Sequence, residues 1–284
     1  MGSRRAVADE VIRRWSRAAE RWARHADEID AEGAEITAWL LGATALAAGE
    51  TLLELGAGPG GVGLAAADAV KPGRVILTDI APPMIEIARE RVQRLGLENV
   101  DLEVADAAAL PQPDASVDVV VSRFAFQAMD DPGRAFAESL RVLRPGGRLA
   151  FAVFPAPERN PWSSLAMQAL AAAVGAPAPG SQKPGMFALA DESHLHSLVS
   201  RAGFVDVWLE HVAGERHFAS FESWWHLRRE LAPGAAQAWA SLDETAREAV
   251  ESALREQVQA YSAHGQLVFP SDVLAVAARR PDRR

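Results

Sequence analysis

Residues 50 to 63, Glu-Thr-Leu-Leu-Glu-Leu-Gly-Ala-Gly-Pro-Gly-Gly-Val-Gly, constrain the fold more than any other stretch of the chain. Leu52, Leu53 and Leu55 make the short apolar run of a strand that is covered on both faces. Gly56, Gly58 and Gly60 then let the backbone turn through positive φ, or let a ligand approach it closely. Pro59 suits the first turn of a following helix. The free N–H groups of that helix would face an anion or the polar end of a nucleotide.

Gly56-x-Gly58-x-x-Gly61 also fits the dinucleotide fingerprint, which alone is a weak signal. Three acidic residues at strand ends add to it. Glu54 is a carboxylate at the end of a buried strand, an expensive place for charge unless a donor or cation meets it. Asp79 closes the next strand, Arg74 to Ile80, where an acid can chelate ribose hydroxyls. Asp106 closes a third, Val100 to Ala105, and the dinucleotide fingerprint does not account for it.

Further strands are expected at Val117 to Ser122, Arg148 to Phe154, Phe204 to His211 and within Val268 to Ala278. The intervening helices fall at 61 to 70, 83 to 95, 134 to 142 and 191 to 202. Such alternation predicts an α/β fold with a doubly wound, mostly parallel, seven-stranded sheet whose ligands gather at the carboxyl ends of the strands. Ser122 to Met129 lies at that edge, so Arg123, Phe124, Phe126, Gln127 and Met129 are candidates to line a site. The Arg144-Pro145-Gly146-Gly147 turn reads as structural.

Residues 4 to 47 read as two helices. Val11, Trp15, Ala18, Ala19, Trp22 and Ala26 form an apolar stripe at helical spacing among arginines. Three regions follow from the pattern: N-terminal helices over 1–48, an α/β core over 49–154, and 155–284, which completes the sheet and carries helical inserts at about 155–190 and 213–264. The inserts and the N-terminal helices are expected to form a cap over the strand ends. The loop Gly175 to Gly185 has the composition of a mobile flap. Trp162, Phe187 and Trp224 are among the cap aromatics, which suit an apolar or aromatic ligand as well as plain core packing.

The formal charge of −9, without a basic stripe, argues against a nucleic-acid partner. Zero cysteines exclude disulfides and cysteine-ligated metal, and agree with a cytoplasmic location. No uncharged apolar run is long enough to span a membrane. His194 and His196 are two apart on a predicted helix and face different ways, so no metal site is expected.

Glu54-Leu-Gly56-Ala-Gly58-Pro-Gly60, Asp79, Val104-Ala105-Asp106-Ala107 and Leu143-Arg144-Pro145-Gly146-Gly147-Arg148-Leu149 resemble, in order, motifs of the class I S-adenosylmethionine-dependent methyltransferases. They are most similar to the branch acting on quinones, lipids and other small molecules. The resemblance implies S-adenosylmethionine as cofactor, S-adenosylhomocysteine as product and a small-molecule acceptor. It places Gly56, Ala57, Gly58 and Gly60 under the cofactor, and Asp79 at the ribose with Ile80 beside the adenine. It assigns the adenine amino group to Asp106 and an adenine ring nitrogen to the Ala107 N–H. Glu54 either supports the loop or faces the cofactor's amino-acid end.

Trp15-Ser-Arg-Ala-Ala-Glu-Arg-Trp22 resembles the family's lid signature, with Trp22 where an aromatic, commonly tyrosine, is expected. Arg13, Arg14 or Arg17 could hold the cofactor's carboxylate, and Arg123 joins the cofactor set. Trp15 joins the acceptor pocket. For a general base His25, Gln127 and His226 are conceivable by position, and the reaction can also proceed by positioning alone. A nicotinamide-dependent oxidoreductase and a non-catalytic S-adenosylmethionine-binding protein are the alternatives. A monomer or homodimer is expected.

Overall fold

The computed structural model describes residues 2–177 and 184–282. The sequence alternates apolar strands with amphipathic helices, and the chain folds accordingly. Strands β1 (Thr51–Leu55), β2 (Arg74–Asp79), β3 (Val100–Val104), β4 (Val117–Arg123), β5 (Leu143–Val153), β6 (Val205–Phe218), β7 (Ser262–Ala263) and β8 (Gln266–Arg279) form one sheet. Its order is β3-β2-β1-β4-β5-β8-β6, with the two-residue β7 pairing β8. The first five strands pair in parallel, and β8 runs antiparallel between β5 and β6. This is the mostly parallel sheet that the strand spacing predicts.

Alternate side chains pass to opposite faces, so each central strand is buried twice. Leu52, Val75, Leu77, Val119 and Val121 join the core on one face. Leu53, Leu55, Ile76, Val120 and Phe151 join the core on the other. Each such side chain contributes about 1.5–3 kcal/mol relative to exposure.

The helices are α1 (Gly2–Arg24), α2 (Ala26–Glu32), α3 (Ala34–Ala43), α4 (Gly61–Ala66), α5 (Pro82–Leu95), α6 (Pro132–Val142), α7 (Pro161–Ala173), α8 (Glu192–Arg201), α9 (Phe221–Leu231), α10 (Pro233–Ser241) and α11 (Glu244–Gln257). Several differ from the sequence pattern. Three helices precede β1 where the periodicity predicts two, because the chain is interrupted at His25 and again at Gly33. A Cβ at Gly33 would lie 2.3 Å from the Arg123 guanidinium, so the bend seats α2 against the end of β4. Helix α4 ends at Ala66 instead of continuing to 70. The Ala67 carbonyl takes a hydrogen bond from the Asn99 amide at 2.7 Å in place of a helical N–H.

Strand β6 runs to Phe218, beyond His211, and pairs with β8 as far as Phe218 with Leu267. The second helical insert therefore begins after the strand, later than 213, and holds three helices because Pro233 opens α10 directly after α9. Helix α7 packs on α9, α10 and α11, and α9 and α10 pack on α1. The Gly175–Gly185 loop falls partly on residues 178–183, which lie outside the described residues.

Candidate active site

The parallel topology brings the carboxyl ends of β1, β2 and β4 to one rim. There, under the cap, a cavity of about 1080 Å³ opens. The glycine turn after β1 forms its floor. Gly56, Gly58 and Gly60 have φ of 62°, 52° and 91°, a region that side chains rarely enter. The Asp79 carboxylate holds this turn. One oxygen accepts the Gly58 N–H at 2.9 Å and the other the Ala81 N–H at 2.9 Å. Ala57 N–H donates to the Thr78 carbonyl at 2.9 Å, so β2 braces the turn along its length. Burial raises the Asp79 carboxyl above the ordinary value, and the N–H groups of Ala81 and Gly58, with a smaller effect from that of Ile80, oppose that rise.

Glu54 lies beneath the floor. Its Oε2 accepts the Gly63 N–H at 2.7 Å, so the helix N-terminus expected to face a ligand is answered from within the protein. Pro59 also sits outside α4, in the turn, with Gly60 capping the helix. Burial pushes the Glu54 carboxyl up to about 7, against the Gly63 N–H and the Arg123 charge. Its hydrogen bond is to the first turn of α4, and Glu54 also lines the cavity.

Asp106 is exposed at the cavity rim. Its Oδ1 accepts the Ala108 N–H at 2.9 Å, which caps the following turn. Ile80 and Ala107 line the same end.

At the opposite end Arg123 is fixed by Asp30 at 2.7 Å and Thr37 at 2.9 Å. The other Asp30 oxygen accepts from Arg91 at 2.6 Å. This clamp lies on the start of α4, where a Cβ at Gly61 would fall 2.1 Å from Asp30 and 2.5 Å from Arg123. Trp15 and Trp22 of α1 form an edge-to-face pair, centroids 5.6 Å apart, over the cavity. Trp22 Nε1 donates to the Leu231 carbonyl, tying α1 to α9. Among Arg13, Arg14 and Arg17, only Arg14 lines the cavity, where its Nε has no acceptor among the described residues.

Phe124 stacks on Phe154 with centroids 4.3 Å apart, and Phe154 meets Trp162 edge-on at 5.7 Å. Phe124, Gln127, Met129 and Trp162 all line the cavity. Gln127 Oε1 accepts the Phe154 N–H at 2.8 Å, so this side chain joins the ends of β4 and β5.

Other expected residues lie elsewhere. Phe126 turns under the sheet in a short 3-10 turn and packs against Phe136 and Phe151. Phe187 and Trp224 are sealed in the cap core and line no part of the cavity. Trp224 Nε1 instead donates to the Trp162 carbonyl at 2.7 Å. His25 pairs with Glu28 outside the cavity, and His226 borders a separate hollow of about 240 Å³ on the outside of α9. Among the described residues no group of three or more His, Asp or Glu side chains is arranged to hold a metal ion.

Sequence reasoning missed Asp30, Arg216 and Arg228, all of which line the cavity. One signal for Arg228 was legible. It falls on the apolar stripe of Trp224, Leu227 and Leu231, where a cation is out of place.

Residues 53–151 match the model of a methyltransferase domain. A ubiquinone/menaquinone biosynthesis C-methyltransferase UbiE from Acidiphilium cryptum is 33% identical over 188 residues, 63% of this chain and 74% of its own length. A demethylmenaquinone methyltransferase from Thermus thermophilus is 40% identical over 111 residues, 39% of this chain and half of its own. Against another curated relative the chain spans 27% of the length. The fold is similar to that of a candidate methyltransferase from Bacillus halodurans, with a TM-score of 0.61 at 21% identity over 86% of this chain and 98% of that one. The glycine turn, the ordered acidic strand ends and the extent of the Acidiphilium match agree: the chain belongs to the class I S-adenosylmethionine-dependent methyltransferases.

Proposed function

We propose that this chain transfers a methyl group from S-adenosylmethionine to a small, apolar or aromatic acceptor held in the cap half of the cavity. The observation that carries this reading is continuity. The glycine floor held by Asp79 and the apolar cap wall at Phe124, Phe154 and Trp162 bound one cavity.

The residues fit such a cofactor. A Cβ at Gly58 would meet nothing within 4 Å, so the floor is open where a ligand would press closest. The Asp79 carboxylate oxygens keep lone pairs beyond their two backbone donors, and these suit ribose hydroxyls. Ile80 offers an apolar wall, and Asp106 and the Ala107 N–H offer an acceptor and a donor to the edge of a base. Arg14 and Arg123 are guanidinium groups on the cavity wall able to face an amino-acid carboxylate. In this reading the core of about 49–154 holds the cofactor, while the N-terminal helices and the inserts after 155 close over it.

When bound, S-adenosylmethionine supplies an electrophilic methyl group on a sulfonium centre. The protein's part is alignment and exclusion of water. Phe124, locked by its stack on Phe154, presents an aromatic surface at the rim of β4, where a cation gains on the order of 1 kcal/mol when desolvated. Trp15 and Trp22 cover the opening. Neither His25 nor His226 borders the main cavity, and the Gln127 oxygen is engaged by Phe154. Rate enhancement then comes from holding acceptor and donor in line.

Incubation with S-adenosylmethionine labelled in the methyl group, against a panel of phenols, quinones and amines, tests the reaction. Label should enter at least one acceptor, and S-adenosylhomocysteine but not NADH should raise the melting temperature. Stabilisation by NADH alone, or cofactor binding without transfer across the panel, would contradict the proposal.

A further inference from the structure

The acceptor end of the cavity holds a cation with no counterpart. Arg216 of β6 and Arg228 of α9 both lie over the Trp162 ring, 4.1 Å and 4.4 Å from its centroid, and all three line the cavity. Arg216 pairs with Glu32 of α2. Arg228 is 7% exposed, and its Nε is buried with no acceptor among the described residues. The carboxylates acting on it, Glu32 and Glu28, do so through space and form no hydrogen bond with it. Burial, then the neighbouring Arg216 charge, brings the Arg228 guanidinium down to about 9.

An isolated buried charge is among the most costly things a fold can hold. The Trp162 ring offers its negative face to the guanidinium but no lone pair, so the N–H fork stays unsatisfied. The whole chain is acidic, with a formal charge of −9, and could readily have supplied a carboxylate here. A cavity that buries a cation without one suits a ligand that brings the anion. Met167, Leu170 and Leu231 contribute apolar wall to the same cavity.

We propose that Arg228, seated on Trp162 beside Arg216, is the subsite for an anionic oxygen group of the acceptor, and that the acceptors are apolar or aromatic carboxylic acids. The planar fork matches a carboxylate in two-point contact. This rests on the methyltransferase reading above and narrows its acceptor class. Arg216 is tied to Glu32 and acts chiefly by positioning, while Arg228 makes the contact.

The test uses the full chain loaded with S-adenosylhomocysteine. The probes are 4-hydroxybenzoate, 4-hydroxycinnamate and 4-hydroxyphenylacetate, each beside its uncharged amide, titrated by calorimetry. At least one acid should bind more than about tenfold tighter than its amide, and Arg228→Met should weaken that acid by about thirtyfold or more while leaving the amide within about twofold. Arg228→Lys, which keeps charge but loses the fork, should fall between. The melting temperature of the ligand-free Arg228→Met protein should not fall, since an unpartnered charge has been removed.

Acids that bind no better than amides, or no acid binding at all, would overturn the assignment on the wild-type protein alone. Acid affinity unchanged in a folded Arg228→Met variant would do the same. A loss of about tenfold in S-adenosylhomocysteine affinity in that variant would assign the guanidinium to the cofactor's own carboxylate and also overturn it. Failure of wild-type protein to bind S-adenosylhomocysteine would refute the methyltransferase reading instead, leaving the acid-against-amide contrast to be read without it.

Discussion

The floor of the cavity and its roof meet at Arg123 and Phe124, yet they are built from different kinds of information. The floor is made of backbone. Its shape comes from glycines at positive φ after β1 and from strand-end acids that hold N–H groups, as Asp79 holds Gly58 and Ala81. The roof is made of side chains from α1, β6, α7 and α9, brought together by packing across long sequence separations, as Trp22 with Leu231 and Trp224 with Trp162. A backbone-defined site tolerates one ligand shape and recurs between relatives. A site defined by side chains can be rebuilt for another acceptor without disturbing the floor.

The sharpest way to break this contrast is with two fully buried aromatics. Phe126→Ala, under the sheet between Phe136 and Phe151, and Trp224→Ala, in the cap core, should each cost about 3–5 kcal/mol in urea unfolding. The contrast lies in what else is lost. Phe126→Ala should leave both ligands bound normally, whereas Trp224→Ala should weaken the acceptor and spare S-adenosylhomocysteine, because the Trp224 indole holds the Trp162 carbonyl. Equal losses of both ligands in the two variants would remove the distinction between floor and roof.

Glu54 sharpens the same comparison from beneath. Its carboxyl is raised from the usual 4.5 to about 7, so between those values the folded state binds more protons than the unfolded one. Stability from this group therefore falls as pH rises through that window, by up to about 3 kcal/mol at about 1.4 kcal/mol per pKa unit. Glu54→Gln keeps an acceptor for Gly63 and should flatten that slope. Denaturation curves at a series of pH values decide it, and a Gln variant with the wild-type slope would show that Glu54 is not the group responsible.

Asp30 joins the lid to the floor through Arg123 and Arg91. Asp30→Asn should weaken S-adenosylhomocysteine by about tenfold, near 1.4 kcal/mol, and should also lower the unfolding midpoint, because Arg123 and Arg91 lose the carboxylate they share. The smallest effect belongs to His226. It borders only the outer hollow, so His226→Gln should change methyl transfer by less than about twofold. A collapse of turnover in that variant would return a histidine base to the mechanism.

How much of this was legible follows the same divide. Leu52 to Leu55, the three glycines and Asp79 act through local backbone chemistry, and their positions could be read from spacing. Phe126 could not be placed, because the turn after β4 rotates consecutive residues to opposite faces of the sheet, leaving Phe124 in the cavity and Phe126 under it. Strand β6 ran past its expected end because pairing with β8, not its own polar-rich sequence, sustains it to Phe218. The Arg123–Asp30–Arg91 clamp joins residues far apart in sequence, and nothing local marks them as partners.

Calorimetry of S-adenosylhomocysteine with wild-type protein and with Asp79→Ala tests the central claim most directly. A one-to-one complex with the wild type and an affinity lower by well over tenfold in a folded Asp79→Ala variant is the expected result. Undiminished affinity in that variant would mean that the turn held by Asp79 is not where the cofactor rests.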